Sequence, residues 1–158
     1  MYSKEELEWY RKVPDTQREA ASNGYIMSLV AVTLGVPLPI LNMIGTAVFA
    51  FQTRKEGVFV KFHCMQALLS QIILTVINGI HFSWLMSILF GDNAFNGNYF
   101  GYLAAVLVIN IMEFIGNIMG AMKARKGELY TFLFVGSISK LIYYNQLTKL
   151  INDPPPAL

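Results

Sequence analysis

Apolar and charged positions fall in long blocks rather than alternating. No Asp, Glu, Lys or Arg occurs from Ala20 to Thr53, only His63 and His81 break the run from Phe62 to Gly91 as basic side chains, and only Glu113 carries charge from Asn93 to Met122. A helix rises 1.5 Å per residue, so about 20 residues cross the ~30 Å hydrocarbon core of a bilayer, and each block is long enough to do so. The blocks predict helical segments at about 24–51, 59–90, 99–122 and, interrupted by Lys140, 129–147. Pro37-Leu38-Pro39 interrupts the first of these. A proline inside a helix removes a hydrogen bond and clashes with the preceding turn. Two forms of this segment therefore stand side by side, one kinked span or a re-entrant hairpin of two half-helices. The fold class that follows is all-α, an integral membrane bundle of three to four transmembrane segments with a proline-broken first segment. A charged tail at 1–23 precedes the single domain 24–151, and a Pro-rich tail at 152–158 ends the chain. Within the first tail, Ser3 and Glu6 have the spacing of a capping box for a short interfacial helix that Pro14 would end.

Composition adds weight to the membrane reading. Hydrophobic residues make up 54% of the chain and charged ones 14%, against roughly 25% charge in an ordinary soluble domain. A net charge of +2, with basic residues dispersed among acidic ones, excludes a nucleic-acid surface. Cys64 is the single cysteine, which rules out an intramolecular disulfide. The first apolar block lies behind a tail of mixed charge and is longer than the core of a signal peptide, so it is expected to remain in the mature protein. Lys and Arg gather in the loops 54–61 and 123–126, whereas the loop 91–98 has neither. The positive-inside rule puts the two basic loops in the cytoplasm. A single crossing by segment one then leaves Lys4, Arg11, Lys12 and Arg18 outside, while a re-entrant hairpin keeps them inside; four simple spans instead put the 54–61 loop outside. The expected location is the bacterial inner membrane, multi-pass, with the lipid bilayer and either a membrane-protein partner or further copies of the chain as partners.

Polar groups inside the spans supply the candidate chemistry. Asn110, Glu113 and Asn117 follow one another at spacings of three and four, which places them on one helical face. Glu113 lies mid-block, where lipid offers no partner for a charge, and an intramembrane ionisable residue is a functional hypothesis by default. A polar arc in segment two carries Gln66 and Asn78, and segment one carries Asn42. The simplest arrangement is a common interior lined by Asn42, Gln66, Asn78, Asn110, Glu113 and Asn117. Gly116 and Gly120 form a G-x-x-x-G, which fits close helix packing within a bundle or a homodimer. Neighbouring His63 and Cys64 point in different directions on a helix, and His63 and His81 are ~27 Å apart along one. No metal-ligand spacing and no nucleophile with a diagnostic base occurs, so neither metal, cofactor nor enzymatic activity is expected.

The stretch Phe59-Val60-Lys61-Phe62-His63-Cys64-Met65-Gln66-Ala67-Leu68 turns a basic loop into an apolar run. It resembles the junction of a small bacterial helical membrane-protein family of unassigned function, similar to the chloroplast inner-envelope protein-import family of the Tic small channel-type subunit. Carried over by residue, the resemblance points to Lys61, Phe62, His63, Gln66 and Ala67; Cys64 stands where a small residue is expected. It implies a non-enzymatic subunit or scaffold of a membrane complex, related to protein translocation or envelope assembly. The alternative from the residues themselves is a small oligomeric transporter or channel using Glu113 and the polar interior.

Overall fold

A computed structural model describes residues 13–33, 39–132 and 135–152. Helices account for the regular structure among them: α1 (Asp15–Thr33), α2 (Pro39–Gln52), a 3-10 turn (Thr53–Lys55), α3 (Val58–Phe90), α4 (Gly97–Arg125) and α5 (Gly136–Asn152). Pro37 and Leu38 of the proline break lie outside the described residues. Pro39 opens α2, a position where a missing N–H costs nothing.

The two long helices form the spine. At 33 and 29 residues they are long and apolar enough to cross a membrane, extending about 50 Å and 44 Å. Asn96 caps the start of α4, its side chain accepting from the Tyr99 N–H at 2.9 Å. At the other end Gly127 adopts φ 79°, the left-handed conformation that only glycine takes without strain. The Gly127 N–H then donates to the Ala124 carbonyl and the Glu128 N–H to the Lys123 carbonyl, which stops the helix in a Schellman turn. Lys123 and Arg125 occupy that last turn, where the helix dipole favours cations.

Helix α1 runs alongside this spine, parallel to α3 and antiparallel to α4. Gln17 lies against Gly57 and Gly24 against Cys64, where a Cβ on Gly24 would come within 2.9 Å of the sulfur. Arg125 pairs with Glu19 at 3.6 Å. Helix α2 returns in the opposite sense, with the Ser28 and Thr46 hydroxyls 3.3 Å apart and Thr53 Oγ1 donating to Cys64 Sγ at 3.5 Å. The start of α1 and the end of α2 therefore share one end of the molecule with the basic loops 53–57 and 126–128.

Residues 128–132 are extended where the sequence pattern continues a helical segment from 129, and the helix itself begins at Gly136. The core gathers where these pieces meet: Ala21 and Tyr25 from α1, Phe59 and Ala67 from α3, Ala124 from α4, and Phe132 and Val135 from the last segment. Beyond Leu74 no residue of α3 is fully buried. Val76, Ile80, Leu107, Val108 and Ile111 face outward there, an apolar collar that water would not tolerate at this length but lipid does.

Candidate functional site

The antiparallel packing of α3 on α4 turns two polar stripes into a ladder. Glu113 Oε1 accepts from Gln71 Nε2 at 3.0 Å and from Asn117 Nδ2 at 2.9 Å. Further along, Asn78 and Asn110 bond reciprocally, Asn78 Nδ2 to Asn110 Oδ1 at 3.2 Å and Asn110 Nδ2 to Asn78 Oδ1 at 2.9 Å. The Tyr102 hydroxyl donates to the Ile77 carbonyl at 3.0 Å. At the far end His81 stacks on Tyr99, with Nε2 and the hydroxyl 3.3 Å apart, and Trp84 meets the rings of Tyr99 and Tyr102. Hydrocarbon offers these groups no alternative partner, and they bond across the pair or to backbone, with the Asn117 Oδ1 atom buried without a partner among the described residues. Hydrogen bonds of this kind contribute about 0.6 kcal/mol each and at most ~1.7. Together they align the hairpin more than any one of them holds it. One side of the ladder opens on a cavity of about 700 Å³ with walls of isoleucine, leucine and methionine, and Glu113, Ser70 and Tyr130 are its polar members.

Below the ladder the junction residues are packed on every side. His63 is fully buried with edge contacts to Phe59 and Phe62. Its Nδ1 lies 3.0 Å from the Tyr25 hydroxyl. Which of the two donates follows the imidazole tautomer, and the other ring nitrogen is Nε2. That nitrogen makes no hydrogen bond of normal geometry among the described residues. Gln66 has a different task. Its Nε2 donates to the Tyr130 carbonyl at 2.9 Å and its Oε1 accepts from the Phe132 N–H at 2.6 Å. One amide thereby fastens the extended stretch to α3 as a neighbouring β-strand would. Lys61 is half-exposed at the edge of this region.

Gly116 and Gly120 receive aromatic rings of the same chain. A Cβ on Gly116 would meet the Phe132 ring at 2.5 Å, and one on Gly120 the Tyr25 ring at 2.8 Å. The residues singled out from the pattern thus come together in groups: Asn78 with Asn110, Glu113 with Asn117, and Gln66 apart with the backbone of 130 and 132. The side chain of Asn42 lies outside the described residues. Pattern reasoning passed over Tyr25, and it placed Gln71 on the polar arc of segment two without including it in the common interior. The small residues Ala20-Ala21-Ser22-Asn23-Gly24 just before Tyr25 are the signal, because they let α1 approach closely enough for one large ring to be buried. No group of three His, Cys, Asp or Glu side chains among the described residues is placed to hold a metal ion.

Comparison with known proteins overturns the protein-import resemblance read from the junction. Phe62, His63, Gln66 and Ala67 are all buried, so a ten-residue pattern of aromatic, polar and small side chains there records packing demands that unrelated bundles can share. No curated protein and no solved structure matches the chain. A family model does match, over residues 21–139, and its description is that of the magnetosome magnetite crystal formation proteins. The match takes in α1 from Ala21 onward, α2 to α4, the extended stretch and the start of α5, well over half of the sequence, and on that extent the chain belongs to the MamF/MmsF magnetosome magnetite crystal formation protein family.

Proposed function

We propose that this chain is a multi-pass protein of the magnetosome membrane that acts in magnetite crystal formation as a non-enzymatic subunit or scaffold. The family match over residues 21–139 carries the reading; this is a magnetosome-associated membrane family and not a known enzyme family. Protein translocation and residence in the general inner membrane have no support in that match and are not carried forward. The shape of the molecule is in keeping with a scaffold. Helices α3 and α4 cross the bilayer as a hairpin, α1–α2 re-enters from the side of the basic loops, and Gln71, Asn78, Asn110, Glu113 and Asn117 tie the two spanning helices together. By the positive-inside rule the basic end faces the cytoplasm, which leaves the exposed loop 91–96 on the mineral side.

Two measurements test this. Deleting the gene for the chain in a magnetite-forming host is expected to shift the crystal-size distribution in electron micrographs, and re-expression to restore it. Crystals unchanged in size, shape and number would remove the proposal. Topology is read by maleimide labelling of the full chain in a Cys64→Ala background with single cysteines at Asp15, Glu56 and Asn96. Positions 15 and 56 are expected to label from one face and position 96 from the other. Labelling of 15 and 56 from opposite faces would show that α1–α2 crosses the membrane.

A further inference from the structure

A second hollow lies at the basic end, in a groove of about 510 Å³ between α2, α3 and α5. Ala50, Met65 and Leu68 form its apolar walls, and Arg54, Lys61 and Tyr143 stand around its polar rim. The two cations come from the 3-10 turn after α2 and the first turn of α3, the level at which a spanning helix leaves the hydrocarbon. Arg54 rests on the last turn of α2, its guanidinium 4.0 Å from the centre of the Phe51 ring. Neither cation has a carboxylate at ion-pair distance among the described residues. The neighbouring loop adds Lys55 and the single carboxylate of Glu56, so the rim remains positive.

The geometry points to a binding site for one anionic phospholipid, its phosphate between Arg54 and Lys61 and an acyl chain along Ala50, Met65 and Leu68. Basic pockets between membrane helices on the cytoplasmic side suit such headgroups, and each Lys or Arg near an anionic surface adds to the attraction. Arg54 adds geometry to charge, because its planar fork offers paired donors to phosphate oxygens. The apolar trough distinguishes a lipid from a free phosphate, which would need only the rim. The inference rests on α3 spanning the bilayer and is independent of any role in crystal formation.

Native mass spectrometry of the delipidated full-length chain, with dioleoyl phosphatidylglycerol and dioleoyl phosphatidylcholine added separately, tests it. One phosphatidylglycerol is expected to be retained in preference to phosphatidylcholine. The double substitution Arg54→Gln/Lys61→Gln should reduce that preference roughly tenfold or more, in line with the loss of two charge contacts. Ala50→Phe, which fills the trough and leaves both cations, should also release the lipid, whereas Lys126→Gln in the other basic loop should not. Thermal melting of each variant establishes that it is folded. Equal retention by the double variant, an equal loss in Lys126→Gln, or displacement of the lipid by inorganic phosphate that still binds Ala50→Phe would each overturn the assignment.

Discussion

Gln66→Leu is expected to release residues 128–132 from α3 and to destabilise the protein by about 3 kcal/mol. Leucine nearly matches glutamine in size, so the substitution leaves little void, and the effect comes from the two backbone groups it abandons. The Phe132 N–H and the Tyr130 carbonyl both rely on the Gln66 side chain. Leaving a buried donor or acceptor unsatisfied costs about 1–3 kcal/mol per group. The loss extends further because Phe132 fills the space above Gly116 and Val135 belongs to the same core. Gln66→Glu keeps the acceptor for the Phe132 N–H, and because burial favours the neutral acid its O–H can still donate to the Tyr130 carbonyl at the cost of holding the proton. It should fall between wild type and Gln66→Leu. Unfolding in detergent reports the total, and hydrogen exchange at the Phe132 amide reports the local release. An unchanged melting curve with a protected Phe132 amide in Gln66→Leu would show that the clamp holds nothing.

What could be read from the sequence follows from which interactions leave a pattern. The runs Phe62–Gly91 and Asn93–Met122 fall largely on α3 and α4, because a bilayer demands length and apolarity and both are visible in composition. The all-α class follows from the same demand, since lipid leaves backbone groups no other way to pair. Leu129-Tyr130-Thr131-Phe132 was not separable from a helix start. A short apolar run has no period of its own, and its extended form is decided by the Gln66 amide sixty-odd residues away, which bonds to backbone and so leaves no mark in the side chains it meets. The spacing of Gly116 and Gly120 showed that something approaches closely, but a glycine pair is equally suited to a facing helix or to aromatic rings. The junction misled for a related reason. His63 and Gln66 carry polar atoms because Tyr25, Tyr130 and Phe132 need them, and a local comparison reads such partners as a shared function.

The glycine pair also supplies a test in which one substitution has opposite signs at two places on one helix. At Gly101 of α4 a Cβ meets nothing within 4 Å, whereas at Gly120 it comes within 2.8 Å of the Tyr25 ring. Gly101→Ala should therefore be neutral or stabilising by up to about 1 kcal/mol, the helix-propensity difference between the two residues. Gly120→Ala should be destabilising by about 1–3 kcal/mol, the usual cost of an added methyl group in a filled core. The ring has little freedom to move aside, for it is fully buried and its hydroxyl is held by His63 Nδ1. If it swings away, that bond breaks. Removing the ring should remove the clash: in Tyr25→Leu, which is itself destabilised by the lost aromatic contacts, the further cost of Gly120→Ala should shrink toward zero. This non-additivity distinguishes steric coupling from a general weakness of α4. Equal effects of Gly120→Ala with and without the Tyr25 ring would mean that α1 does not rest on this part of α4, and with that the close packing of the α1–α2 hairpin against the spanning pair would have to be given up.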